Sequence, residues 1–332
     1  MKPTVLIIDD REGLIGASPG AGRLRDLADV RVVPGSLDEL DDAYLSTVQV
    51  LMAVRERTPL GADALGRLPS LELLLQTGGH AYHVDGDHLA GRGIPVTLMR
   101  RAYGPRAAVP ELTFALAVAA LRMLPAAHAS MVDGQWRSFT GRTLRGRTMG
   151  ILGYGRHGTN VARLARAYGM DVVVWRRDPA KVVSDGVALA DLDTVLEVSD
   201  VLSVHLRLSD ESRGLLDGPR LQRMKPGSLL INTARGAIVD ESALVDALVS
   251  GPLSAAGLDV FAQEPLPPGS ALRGLPNVVL TPHIGWTVEE VLTEFAEIAA
   301  DQLEAFLTVG LARDELLDPA VRLRGDAIGT LR

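Results

Sequence analysis

From end to end, the chain alternates short β-branched apolar runs with segments of helical apolar spacing. Candidate strands in the first third are TVLIID (4–9), VRVV (30–33), VQVLMA (48–53), ELLLQT (72–77) and PVTL (95–98), with helix-like spacing at 37–45 and 60–67. A second series runs TMGIL (148–152), DVVVW (171–175), VLSVHL (201–206), SLLINT (228–233), AAGLDV (255–260) and VVLT (278–281). Strands this continuously apolar need cover on both faces, and strand–helix alternation provides it around a parallel sheet. The expected fold class is therefore α/β, with two doubly wound parallel-sheet domains. A length of 332 residues is enough for two separate cores.

Helix-end signals refine this outline. Asp240 can cap a helix over 241–249, and Pro219 suits a first helical turn. Thr287 and Glu290 have capping-box spacing, so the last long helix is expected to open there and to close at Gly310. The boundary between units is expected near 101–110, where RAYGPRAAVP precedes an apolar helix over 111–124. Because no strand follows the second series, the last helix and tail are expected to return to the first unit. The expected domains are 1–104 with 288–332, and 105–287.

Composition removes several classes of function. A net charge of −7 with no basic tail gives no footprint for nucleic acid. The absence of cysteine excludes disulfides, thiolate metal sites and cysteine nucleophiles. The start, MKPTVLIIDD, is too short and too acidic for a signal peptide, and no apolar run approaches the roughly 18 residues of a membrane span. A cytoplasmic protein with no membrane partner is expected. His80, His83 and His88 lie close together but lack the spacing of a compact zinc site, so no metal is expected. The basic run RSFTGRTLRGR (137–147) reads as a solvated or interface segment, and Trp136 before it as either a dimer contact or a core residue.

The most specific local signal is Gly153-x-Gly155-x-x-Gly158, which follows a strand and opens a helix with Val161, Ala165 and Tyr168 at buried-face spacing. This is the dinucleotide-binding pattern of a Rossmann unit. Gly153 permits the tight turn, Gly155 lets a pyrophosphate approach the backbone, and Gly158 lets the helix pack closely on the strand. Helix-start N–H groups near Arg156 and His157 then suit phosphates. The second strand of the unit ends in Arg176 and Arg177, where an NAD-selective site would place an acid for the ribose hydroxyls. Guanidinium groups suit a 2′-phosphate there, so NADP is favoured over NAD.

Ligands of open parallel sheets gather at the carboxyl ends of the strands. Three segments deliver a reactive residue there: Arg235 after SLLINTA, Glu264 in AAGLDVFAQEP, and His283 in VVLTPHIGW. Taken singly, each has a bland explanation as an ion pair, a loop acid or a satisfied histidine. Together they form a set that can reduce a keto acid: an arginine to clamp a carboxylate, a histidine to carry a proton, and a carboxylate to tune it.

Several long segments in the right order resemble the D-isomer-specific 2-hydroxyacid dehydrogenases. They are TLRGRTMGILGYGRHG, MKPGSLLINTARGAIVDESAL, GLDVFAQEPLP and LPNVVLTPHIGW, within 143–286. The resemblance implies a Rossmann nucleotide-binding domain and a flavodoxin-like substrate domain, commonly assembled as a homodimer through the former. It implies that Arg235 binds the substrate carboxylate and keto oxygen. His283 would be the acid/base that protonates the carbonyl as hydride arrives from nicotinamide. Glu264 would hydrogen-bond His283 and keep it protonated. Asp259 would meet the nicotinamide carboxamide, and His205, Thr233, Ala234 and Gly285 would join the cofactor site. QTGGH (76–80) matches the loop whose N–H groups, at Gly78, Gly79 and His80, hold the substrate carboxylate. Glu111 matches an acid at the start of the linking helix.

Two positions depart from the family pattern: Arg207 stands where proline is frequent, and Trp286 where small residues are common. The family's regulatory domains would lie beyond 332, so an allosteric phosphoglycerate dehydrogenase is not expected. The expected function is reduction of a short 2-keto acid of the glyoxylate or hydroxypyruvate type. A nucleotide-sensing protein similar to corepressors of the same fold stays open, as does phosphite oxidation. Formate oxidation is disfavoured, because formate dehydrogenases carry an amide where Glu264 stands.

Overall fold

The computed structural model describes residues 2–178 and 186–321. The chain divides into two compact units, one formed by residues up to Gly104 and again from Val288 onward, the other by Pro105–Thr287. The tail beyond 321, which the sequence reading assigns to the first unit, lies outside the described residues.

Among the described residues, the first unit holds a five-stranded sheet of β1 (Thr4–Ile8), β2 (Asp29–Val32), β3 (Val50–Ala53), β4 (Leu73–Gln76) and β5 (Val96–Leu98). Its order is β2-β1-β3-β4-β5 and every pairing is parallel. β3 and β4 are buried at every position, which explains their unbroken apolar sequence. One face is covered by the helix Pro19–Leu27, on which the helix Glu289–Leu307 packs. The two approach so closely that a Cβ on Gly20 would collide with the backbone of Ala296. On the rim of that contact Arg23 meets Glu297 (3.1 Å), Asp301 (2.8 Å) and Glu304 (3.3 Å).

The second unit holds a seven-stranded parallel sheet in the order β12-β11-β10-β9-β6-β7-β8. Its strands are β6 (Thr148–Leu152), β7 (Asp171–Trp175), β8 (Ala188–Leu189), β9 (Val201–Val204), β10 (Ser228–Asn232), β11 (Leu253–Leu258) and β12 (Val278–Leu280). The strand period of two divides their side chains between two cores. Val173, Leu202 and Leu230 join one cluster, while Val172, Val174, Val201, Leu229 and Ile231 join the other. The chain begins mid-sheet at β6, runs outward through β7 and β8, then returns to β9. A topological switch point therefore lies between β6 and β9. Both sheets fit the expected α/β class.

Several local expectations need correction. The helix expected over 111–124 begins at Gly104 and carries Pro110 inside it. Proline has no N–H for the carbonyl of Arg106, and the side-chain amide of Asn160 donates to that oxygen instead, at 3.1 Å. That external donor lets the helix run through the proline. The helix ends at Leu121, Met123 takes a left-handed φ of 52°, and a second helix, Leu124–Val132, follows. The last helix does not open on a capping box. Val288 is its N-cap and no side chain bonds the first turn. It stops at Leu307 rather than Gly310, whose N–H reaches back to the Ala305 carbonyl. Tyr168 is 48% exposed and stacks on Phe114, and Trp136 is 90% exposed, which removes the core alternative for it. Asp240 does cap its helix, accepting from the N–H groups of Ser242 and Ala243. Among the described residues, no single helix is long and apolar enough to cross a membrane.

Candidate active site

The glycine turn sits at the carboxyl end of β6, beside the switch point. Gly153 has φ +98°, and an added Cβ would lie 2.7 Å from the carbonyl oxygen of His205, at the end of the neighbouring β9. A Cβ on Gly158 would strike the Gly153 carbonyl, so this glycine is needed for the helix Arg156–Ala167 to meet the strand. Gly155 differs. It is exposed, it caps the helix with no side-chain hydrogen bond, and nothing lies within 4 Å of where its Cβ would be. No protein neighbour demands glycine there; the open approach suits a ligand on the backbone. Arg156 is exposed and His157 half-buried at the same helix start. The His205 ring bonds Ser203 Oγ at 2.7 Å, and burial, with the charge of His157, pushes its pKa down to about 3.

At the end of β7, Arg176 is half-buried and Arg177 exposed. Arg177 donates to Ser209 Oγ (3.1 Å) and lies 3.6 Å from Glu211. Arg207, in the same loop, is exposed and offers its carbonyl to Ser212.

The three reactive residues follow three adjacent strands, β10, β11 and β12. Arg235 is held by its own strand end: buried Asn232 donates to the Arg235 carbonyl (3.0 Å) and accepts from Ala234 N–H (3.0 Å). Thr233 shares a hydroxyl contact of 3.1 Å with Thr113. A Cβ on Gly236 would overlap the backbone of Phe261 and Ala262, so the Arg235 turn lies directly against the segment leading to Glu264. Glu264 takes the Phe261 N–H on Oε1 (2.9 Å) and His283 Nδ1 on Oε2 (2.6 Å). Burial works against the Glu264 carboxylate. The hydrogen bond and charge of His283, the Phe261 N–H and the charge of Arg235 nevertheless hold it below the ordinary glutamate range.

His283 has a left-handed backbone, φ +56°, and Asp259 shapes that turn. Only 1% exposed, Asp259 accepts from Thr281 Oγ1 (2.6 Å) and from the N–H groups of Ile284 (2.8 Å) and Gly285 (2.8 Å). Burial raises its pKa, against the pull of these donors and of the His283 charge. Trp286, next along, is 5% exposed.

In the other unit, Gly78, Gly79 and His80 follow β4. Gly78 has φ +94°, and the Arg55 guanidinium occupies the space its Cβ would need. Gly79 faces open space. His80 Nε2 lies 3.1 Å from Glu56 Oε1, and its ring stacks on Tyr82 at 4.7 Å.

Residues 114–285 match the family described as D-isomer specific 2-hydroxyacid dehydrogenase, NAD binding domain. A glyoxylate reductase of Thermofilum pendens is 35% identical over 87% of this chain and 88% of its own. The chain belongs to the D-isomer specific 2-hydroxyacid dehydrogenases. The D-3-phosphoglycerate dehydrogenase of Mycobacterium tuberculosis is also 35% identical, over 98% of this chain, which spans 60% of that relative's length. Among solved structures, an NADPH-dependent glyoxylate/hydroxypyruvate reductase from Sinorhizobium meliloti, in complex with NADP and malonate, superposes with a TM-score of 0.81. It is 27% identical, over 98% of this chain and 99% of its own.

In this chain, sequence reasoning passed over Asn232, Gly236, Thr281, Arg55 and Glu56. The first two left a faint signal, a polar residue closing an apolar strand and a glycine directly after an arginine. Thr281, Arg55 and Glu56 act through partners distant along the chain and left none.

Proposed function

We propose that this dehydrogenase transfers a hydride between bound nicotinamide and C2 of a short 2-keto or D-2-hydroxy acid, of the glyoxylate or hydroxypyruvate type, in the cytoplasm. The observation that carries the reading is the 2.6 Å pair of His283 Nδ1 and Glu264 Oε2, formed beside Arg235 at the ends of adjacent strands. Glu264 fixes the ring through Nδ1 and leaves Nε2 to deliver a proton to the substrate oxygen. Arg235 supplies the planar two-point clamp for the carboxylate and keto oxygen. The backbone N–H groups of Gly78, Gly79 and His80 are part of the same reading, as donors to a substrate carboxylate.

The cofactor would be held by the Gly153–Gly158 turn with the helix start at Arg156 and His157. His205, Thr233, Ala234 and Gly285 would line the rest of its site, and Asp259, with three donors already engaged, has room for one more from a carboxamide. The arginine pair favours NADP over NAD, since guanidinium groups at the end of β7 suit a 2′-phosphate. The relative from Sinorhizobium, solved with NADP, supports this preference. A homodimer through the nucleotide-binding unit is part of the same reading. It is supported by apolar side chains left exposed at Leu124, Met131, Val132 and Trp136.

The test is a steady-state screen of short 2-keto acids against NADPH and NADH. Oxidation of NADPH with glyoxylate or hydroxypyruvate, at higher kcat/KM than with NADH, is expected. Tight cofactor binding with no turnover across the panel would instead favour a nucleotide-sensing protein.

A further inference from the structure

The relatives at 35% identity act, by name, on both phosphorylated and unphosphorylated acids, and one cluster bears on that choice. In the substrate unit, Arg55 and Glu56 follow β3, beside β4 and its Gly78–His80 loop. Glu56 Oε2 lies 3.3 Å from Arg55 Nε, and Glu56 Oε1 lies 3.1 Å from His80 Nε2. These side chains are largely withdrawn from water, at 11% exposure for Arg55, 21% for Glu56 and 22% for His80. The carboxylate thus anchors Arg55 against Gly78 and touches the carboxylate-holding loop itself.

The ends of β1 and β3 carry no cationic surplus, and beyond β5 Arg100 donates to the Asp314 carbonyl while Arg101 meets Asp301 (2.7 Å) and Glu315 (3.4 Å). Arg57 makes a two-point pair with Glu12 (2.8 and 2.6 Å), and Arg11 meets Asp9 (3.4 Å). Thr58 Oγ1 also donates to Asp9 (2.6 Å), and both oxygens of Asp10 accept backbone N–H groups, from Ile15 and Gly16. Asp9, Asp10, Glu12 and Glu56 therefore stand among Arg11, Arg55 and Arg57. One monocarboxylate can be held by the loop N–H groups. A second anion on the same substrate would meet Glu56 and find each of these arginines matched by an acid.

We propose that Glu56 is a specificity-determining residue that restricts the substrate to 2-keto or 2-hydroxy acids with one anionic group, excluding phosphate esters. This rests on the reading of the protein as a 2-keto acid reductase whose loop 78–80 holds the substrate.

The experiment compares kcat/KM for hydroxypyruvate and for its phosphate ester, in the whole protein and in its Glu56→Gln and Glu56→Asp variants. Both substrates are measured on one preparation, so partial unfolding cancels from the ratio. The wild type should prefer hydroxypyruvate by at least about tenfold, Glu56→Gln should narrow the ratio by about tenfold, mainly through KM for the ester, and Glu56→Asp should keep the preference. Wild-type preference for the ester, or an unchanged ratio in Glu56→Gln, would overturn the proposal alone. Turnover of neither acid would overturn the reductase reading and the proposal with it.

Discussion

The left-handed backbone of His283 is a conformation that costs a residue with a side chain about 1–3 kcal/mol, and Asp259 compels it. Thr281, Ile284 and Gly285 all donate to one buried carboxylate, and the histidine stands at the apex of the turn they enclose. Arg235 is held differently, by Asn232 beneath it and by the close approach of Gly236 to Phe261. Its proposed role depends on the shape of the guanidinium rather than on its charge alone. Arg235→Lys should therefore lower kcat/KM for a 2-keto acid by about 10²-fold while cofactor affinity stays the same; an unchanged kcat/KM would remove Arg235 as the carboxylate ligand. Arg235, Glu264 and His283 were legible because each follows an apolar strand in a parallel-sheet chain. Asn232, Gly236 and Glu56 were not, since their work is done against loops that only the fold brings near.

At the scale of elements, strands were easier to read than helix ends. An apolar run bounded by turns marks a strand wherever it pairs, whereas a helix end depends on what else satisfies its backbone. Pro110 looked like a boundary until Asn160, from another helix, supplied the missing donor. Thr287 and Glu290 had the spacing of a capping box, but the chain turned at Val288. The start of β6 shows an electrostatic anchor of similar kind. Asp200 accepts from Thr148 N–H (2.9 Å) and Lys225 (2.8 Å), and lies 3.5 Å from Arg147. Burial opposes its charge, but these partners keep its pKa below the usual 3.8. A carboxylate with a depressed folded pKa stabilises the fold above its unfolded value, and that contribution is lost as pH falls through the folded one. Asp200→Asn should destabilise the protein by about 1–3 kcal/mol at pH 7, with the gap to wild type closing in acid, below the usual aspartate value. Thermal melts across pH check this, and a gap independent of pH would contradict it.

For the whole molecule, two parallel sheets followed from strand–helix alternation, in which helices cover both faces of the apolar strands. The glycine turn then lies at the switch point of one sheet, and the three reactive residues at the ends of strands on the same side of that point. Substrate identity was not legible at this scale. The charge balance proposed to set it lies at the strand ends of the 1–104 unit, and no motif encodes that balance. In the proposed reaction His283, set by Glu264, moves the proton in reduction of a 2-keto acid. The most direct measurement is single-turnover and steady-state reduction by His283→Ala beside the wild type, with cofactor binding measured on both. A fall in kcat of at least about 100-fold with cofactor affinity unchanged is expected, and a kcat near that of the wild type would remove His283 from proton transfer.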